Sequence, residues 1–171
     1  MGTMFDTASD PAATFRGLNV EAIAAYGNGR YANYEAAKRE FPHAHVLEID
    51  VSGEGIGHAG DFEAGDMAYG HAGTWAAARI KAGIHRPVIY FSASNWGAVM
   101  QSLEAAGVAR EHVRIWTAHY NGEPHICNPK QCGTGGTADA TQWGSADAPS
   151  TLPAEYRGRN IDVSETGPGF F

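Results

Sequence analysis

The sequence predicts an irregular α/β barrel of the TIM-like type, in which the last strands lack helices. Three observations predict it. Short apolar runs alternate with helical stretches over most of the chain, Gly, Pro and Asn punctuate the joints between them, and beyond Thr117 the alternation gives way to strands alone.

The elements follow in order. Met4-Phe5-Asp6 is a very short first strand, and Ala22 to Tyr26 (AIAAY) is a second, closed by the turn residues Gly27-Asn28-Gly29. A helix from Asn33, its N-cap, to Phe41 ends before Pro42. Val46 to Val51 (VLEIDV) is the third strand, and Gly57 to Glu63 is a fourth that is weaker in propensity. Asp66 caps a longer helix that stops at Gly83; Pro87 to Phe91 (PVIYF) is a buried fifth strand. Ser94 or Asn95 caps a helix to Gly107, and Val113 to Thr117 is the sixth strand. Two short apolar segments remain, Ala140 to Trp143 and Asn160 to Val163, with no good helix between them. No linker or fixed-period repeat divides the chain, so residues 1–171 read as one domain, long enough to bury a full core.

Charge narrows the partners. With 12 basic and 19 acidic residues the net charge is -7, and no Lys/Arg cluster exceeds a pair, which argues against nucleic acid as a partner. No apolar run approaches the roughly 18 residues of a membrane span, and the N-terminus lacks the order of a signal peptide. No membrane partner is expected, and the chain is read as a monomer.

In parallel α/β barrels the site forms where strands end and loops begin. Asp6, Asp50, Asp61 and Glu63 end predicted strands, and Asp162 lies in the last one. Asp61-Phe62-Glu63 matters most. Residues at i and i+2 of a strand share a face, so both carboxylates would point into the barrel while Phe62 packs outward. Acidic pairs beside glycine are usually solvated loop residues; strand-end position and the other acids favour chemistry here. Like charges forced together raise one another's pKa, and glycoside hydrolysis needs two carboxyl groups, one of them able to hold a proton near neutral pH.

Aromatic rings complement such a pair, because a pyranose packs its apolar face on them. Tyr90, Trp116, Tyr120 and Trp143 lie in or just after strands, although any one of them is more often core than platform. His119, after strand six, is placed near the cavity as a hydrogen-bonding group. A metal is not expected: His43 and His45 precede strand three, and no H-E-x-x-H spacing occurs. Cys127 and Cys132 (C-x4-C) would need further ligands to form a zinc site, and a loop disulfide and two free thiols both remain open. There is no G-x-S-x-G elbow and no phosphate-binding G-x-x-x-x-G-K-[ST] loop.

Taken together, FDTAS at Asp6, D-F-E at 61–63, PVIYFS, WTAHY, T-Q-W around Gln142 and the terminal NIDVS resemble glycoside hydrolase family 25, the Chalaropsis-type lysozymes, and related glycosidase-like domains of actinobacteria and their phages. The resemblance spans nearly the whole chain. It implies a barrel of five β/α units followed by three bare strands. It also implies cofactor-free hydrolysis of peptidoglycan glycan at the cell wall, outside the cell. Glu63 would be the general acid, Asp61 its partner, and Asp6 and Asp162 the remaining acids. From the residues themselves, Asp50, Tyr90, Trp116, His119, Tyr120 and Gln142 are expected to bind the sugar, although Asp50 has no assignable counterpart in the family. The chain departs from the family in lacking the fuller G-x-D-V-S opening and in its shorter length and few helices. Two rivals stand beside this reading: a non-catalytic glycan-binding or phage structural module, and a glycosidase for another polysaccharide.

Overall fold

The computed structural model describes residues 1–171 as one closed barrel of eight strands. These are β1 (Gly2–Asp6), β2 (Ala22–Tyr26), β3 (His45–Asp50), β4 (Ala59–Asp61), β5 (Val88–Ser92), β6 (Arg114–Ala118), β7 (Ala140–Gly144) and β8 (Asp162–Thr166). Strands β1 to β7 run parallel to their neighbours, and β8 closes the barrel antiparallel to both β7 and β1. Closure leaves no unpaired edge.

The barrel is strand-dominated, which corrects the TIM-like expectation of a helix after each early strand. Four α-helices are present: α1 (Pro11–Thr14), α2 (Tyr34–Glu40), α3 (Ala72–Lys81) and α4 (Trp96–Ala105). Only α3 and α4 reach ten residues, and β3 passes to β4 through a loop alone. Helix α1 was not foreseen; Asp10 caps it through Ala12 N–H, and Pro11 stands in its first turn. Strand β4 is shorter than the sequence suggested, and β8 begins at Asp162 and runs on to Thr166.

Period-two alternation sorts the strands into two layers. Met4, Ala22, Ala24, Leu47, Ile49, Ala59, Val88, Tyr90, Trp116 and Ala140 fill the barrel. Their sequence neighbours face outward. Phe5, Ile23, Ala25, Trp143 and Val163 pack with Phe15, Leu152 and Ile161, whereas Ile89, Phe91 and Ile115 pack with Phe62, Trp75, Trp96, Val99 and Leu103 beneath α3 and α4. These two helices approach closely because position 73 is glycine. A Cβ there would stand 2.0 Å from the Ser102 carbonyl oxygen, and Gly73 N–H donates to Ser102 Oγ at 2.9 Å.

Candidate active site

The C-terminal ends of the parallel strands open into a cleft of about 950 Å³. Six carboxyl groups line it: Asp6, Asp61, Glu63, Asp66, Asp147 and Asp162. Tyr26, Asn28, Arg30, Tyr31 and His71 share the wall. The sequence reading did not single out Tyr26, Asp66 or Tyr31, although Tyr26 sits at a strand end with the inward parity of Ala22 and Ala24. Tyr31 is exposed, with the Arg30 guanidinium 5.5 Å from its ring centre.

Barrel closure brings the first and last acids together. Asp6 and Asp162 are direct partners across the antiparallel β1/β8 pair, so their side chains emerge side by side. The Gln142 amide links them: Nε2 donates to Asp6 Oδ2 at 2.9 Å and to Asp162 Oδ2 at 3.2 Å. Its Oε1 accepts the Tyr90 hydroxyl at 2.5 Å and the Tyr120 hydroxyl at 2.9 Å. All four hydrogen-bonding positions of the amide are thereby filled, and its orientation follows from the network. Asp162 Oδ1 also accepts from Ala146 N–H at 2.7 Å.

Asp61 and Glu63 are held differently. Asp61, at the end of β4 and paired in register with Tyr90, is buried, and its Oδ1 has no hydrogen-bond partner. The Glu63 side chain accepts no hydrogen bond from the protein and stands between the main cleft and a smaller cavity lined by Ser92, Ser94, His119 and Tyr120. Phe62 between them packs outward against Trp75, as period-two alternation requires.

This environment pushes the acids up. For Asp61, burial raises the pKa most, and the neighbouring Glu63 and Asp66 charges add to it. Glu63 is raised by burial and then by Asp66 and Asp162. Asp6 is raised by burial and by Asp162, against a lowering contribution from the Gln142 amide. Asp162 is also raised by burial, in spite of the bond from Ala146 N–H. A cleft with these groups can keep a carboxyl protonated at a pH where a free one is ionised, beside another able to carry charge.

Two residues placed at the site by sequence, Asp50 and Trp116, lie elsewhere, as does Trp143, which the sequence offered only as one of several aromatic rings. Asp50 does not line the cleft. Leu47 and Ile49 point into the barrel, so Asp50 falls on the outer face, where it is fully buried under the loop that follows. Its carboxylate accepts from Asn28 Nδ2, Trp75 Nε1 and the backbone N–H groups of Ser52, Gly53, Glu54, Gly55 and Ile56, at 2.8 to 3.3 Å. Burial alone would raise this carboxyl, but the bonds from Trp75, Asn28, Gly55 and Gly53 outweigh it and hold its pKa below the usual value. Trp116 points inward but lies deeper in the barrel, 4.3 Å from the Tyr90 ring, with its Nε1 donating to Ser164 Oγ. Trp143, opposite in parity to Gln142, belongs to the outer core. Tyr90 acts through its hydroxyl, its ring being buried; Tyr120 is 41% exposed and is the aromatic that a ligand beside Glu63 would meet.

His119 does border the smaller cavity, but its ring turns to His125, with Nδ1 3.0 Å from His125 Nε2. Cys127 and Cys132 are joined in a disulfide beside this pair, which settles the alternative the spacing left open. With His125 these side chains form a cluster of four potential ligands, which the absence of a zinc-type spacing in the sequence does not disclose. No helix is long and apolar enough to cross a membrane. Comparisons with protein-family models, curated proteins and solved structures returned no match to the chain.

Proposed function

We propose that the protein is a glycoside hydrolase of the lysozyme type, acting on the glycan strands of peptidoglycan, with Glu63 as general acid and Asp61 as its partner. One observation carries this reading. Of the acids in the cleft, Asp6 and Asp162 are tied to the Gln142 amide, while the Asp61 and Glu63 carboxyls accept no hydrogen bond inside the protein and are left for a substrate. Burial raises both, in keeping with the proton-holding acid that glycosidic cleavage requires. The opening at the C-terminal ends of parallel strands matches the placement of sites in β/α barrels, and the reading of this barrel as an irregular relative of that architecture belongs to the same proposal. Tyr120 and Tyr31 offer exposed rings at the rim for sugar faces.

The division of labour follows from the hydrogen bonds. Gln142 fixes Asp6 and Asp162 side by side, where their ionised form favours the positive charge developing on an oxocarbenium-like sugar. Glu63, at the edge of the cleft and untied, delivers the proton to the leaving oxygen. Asp61 acts on the anomeric side, as nucleophile or by orienting the substrate's own N-acetyl group. The test is release of reducing ends from purified peptidoglycan by the native chain and by Glu63→Gln, from pH 4 to 8. Release by the native chain alone supports the assignment. Release by both removes Glu63 from the acid's role, and binding of sacculi without release by either identifies a glycan-binding module instead.

A further inference from the structure

The connection from β6 to β7, residues 119–139, carries no helix or strand and is longer than the roughly 12–15 residues at which an irregular loop within a domain becomes uncommon. It nevertheless delivers Tyr120 to Gln142 and Glu63 at a fixed position. Four side chains, all from this loop, meet at its base: His119, His125, Cys127 and Cys132, whose ligand atoms lie within 4.8 Å of one another. We propose that, once its Cys127–Cys132 bridge is reduced, this cluster is a four-coordinate zinc site that clamps the loop.

The geometry is that of a ligand set. With zinc–sulfur bonds of about 2.3 Å and zinc–nitrogen bonds of about 2.05 Å, a tetrahedron has edges of about 3.3 Å between nitrogens and about 3.6 Å between nitrogen and sulfur. His119 Nδ1 lies 3.0 Å from His125 Nε2, Cys127 Sγ lies 3.7 Å from His125 Nε2, and Cys132 Sγ lies 3.5 Å from His119 Nδ1. Of the six edges of such a tetrahedron these three stand near their values, all four atoms lie within 4.8 Å of one another, and reduction of the bridge releases the sulfur–sulfur edge to open.

The surroundings fit the same role. His125 Nδ1 is 2.8 Å from the Glu123 carbonyl oxygen, which only accepts, so Nδ1 carries the proton and Nε2 presents its lone pair to the cluster. A backbone carbonyl that fixes the tautomer of a ligating imidazole is the usual outer partner in zinc sites. Cys127 is wholly buried, its N–H donating to Thr141 Oγ1 at 2.8 Å, and His125 is nearly so. Four protein ligands leave no open position, so the metal is structural and takes no part in chemistry at Glu63.

The exchange balances. A thiol reductant gives two electrons and two protons to the bridge and is itself oxidised to a disulfide; the resulting Cys127 and Cys132 thiols lose two protons as Zn²⁺ binds, leaving two thiolates and two neutral imidazoles around the ion.

The test uses cobalt(II) as the probe. The protein is reduced with a trialkylphosphine, two free thiols are counted, and cobalt is titrated in. Binding of one equivalent is expected, with the intense visible bands of tetrahedral cobalt and a thiolate-to-cobalt charge-transfer band, which only Cys127 and Cys132 can supply because the chain has no other cysteine. Displacement by zinc should abolish both. The oxidised protein should show neither, His125→Ala should weaken binding at least about 10-fold, and His43→Ala, away from the cluster, should leave it unchanged. A bridge that resists reduction in the folded protein, a reduced protein that binds no cobalt, or cobalt bound without the charge-transfer band overturns the proposal.

Discussion

Replacing Asp50 with Ala removes the acceptor around which the 51–56 loop is folded, and the structure sets the scale of the loss. Seven N–H groups converge on this carboxylate. Those of Ser52, Gly53 and Glu54 belong to exposed residues and regain water once the loop opens; the indole N–H of Trp75, a buried α3 residue packed against Phe62, does not. An orphaned buried donor costs about 1–3 kcal/mol, and the remaining charge-assisted bonds, sharing one acceptor, add less than their sum. A loss of about 3–4 kcal/mol at pH 7 is therefore expected from urea unfolding. The pH dependence has a definite sign. A carboxyl whose folded pKa is lowered stabilises above its unfolded value of about 3.9, and this contribution is lost as pH falls through the folded value. The gap between native protein and Asp50→Ala should thus narrow below about pH 4. A loss under about 1 kcal/mol at pH 7, or a gap that widens in acid, would refute the assignment of Asp50 to the loop and return it to candidacy as a ligand for substrate.

Asp61 should behave in the opposite sense. Its folded pKa is raised, so between the unfolded value and the folded one the native state holds the extra proton and stability falls as pH rises. Asp61→Asn should be about 1–3 kcal/mol more stable than the native chain at pH 7, with the difference shrinking toward pH 4, while glycan cleavage is lost; a variant no more stable at pH 7 would contradict the uncompensated burial of this carboxylate. At Gly73 an added methyl would collide with the Ser102 carbonyl, so Gly73→Ala should cost about 1–3 kcal/mol in urea unfolding by forcing α3 from α4. Gly70→Ala, where a Cβ meets nothing within 4 Å, is the matched control and should be near neutral.

Most of the barrel was legible because its strands are short apolar runs whose period of two is intact, as in PVIYF and VRIWT. Strand β4 was the weakest on propensity, with Gly60 at its centre. That glycine has a packing reason, since a Cβ there would stand 2.8 Å from the Phe62 ring. The D-F-E pair was placed correctly by the same parity. Asp50 was not, although parity was available: with Leu47 and Ile49 inside, Asp50 must face out, just as Trp143 must with Gln142 inside. Strand-end position was weighed and facing was not. Trp116 needed depth along the barrel, which alternation does not supply. His125 could not be reached by spacing, because C-x4-C does not announce histidines drawn in by the path of an irregular loop.

Position at a strand end therefore selects candidates, and hydrogen-bond commitment decides among them. Asp139 is consumed by Arg110, Arg86 and the Ile115 N–H, and Asp50 by its loop. Asp6 and Asp162 are forced together by the register of β1 against β8, a repulsion made tolerable by one amide donating to both. That amide can turn its Nε2 to the acids only because the Tyr90 and Tyr120 hydroxyls occupy its oxygen. Tyr120 in turn belongs to the irregular β6–β7 loop. Asp6 and Asp162 are thus linked to that loop, and to the His119–His125–Cys127–Cys132 cluster at its base, through Gln142 and the Tyr120 phenol. Loss of the Tyr120 hydroxyl would leave Tyr90 alone on the Gln142 oxygen, loosen the amide's hold on the acids and let the Asp6 carboxyl, which that amide lowers, rise further, altering the charge that Asp61 and Glu63 face without touching either.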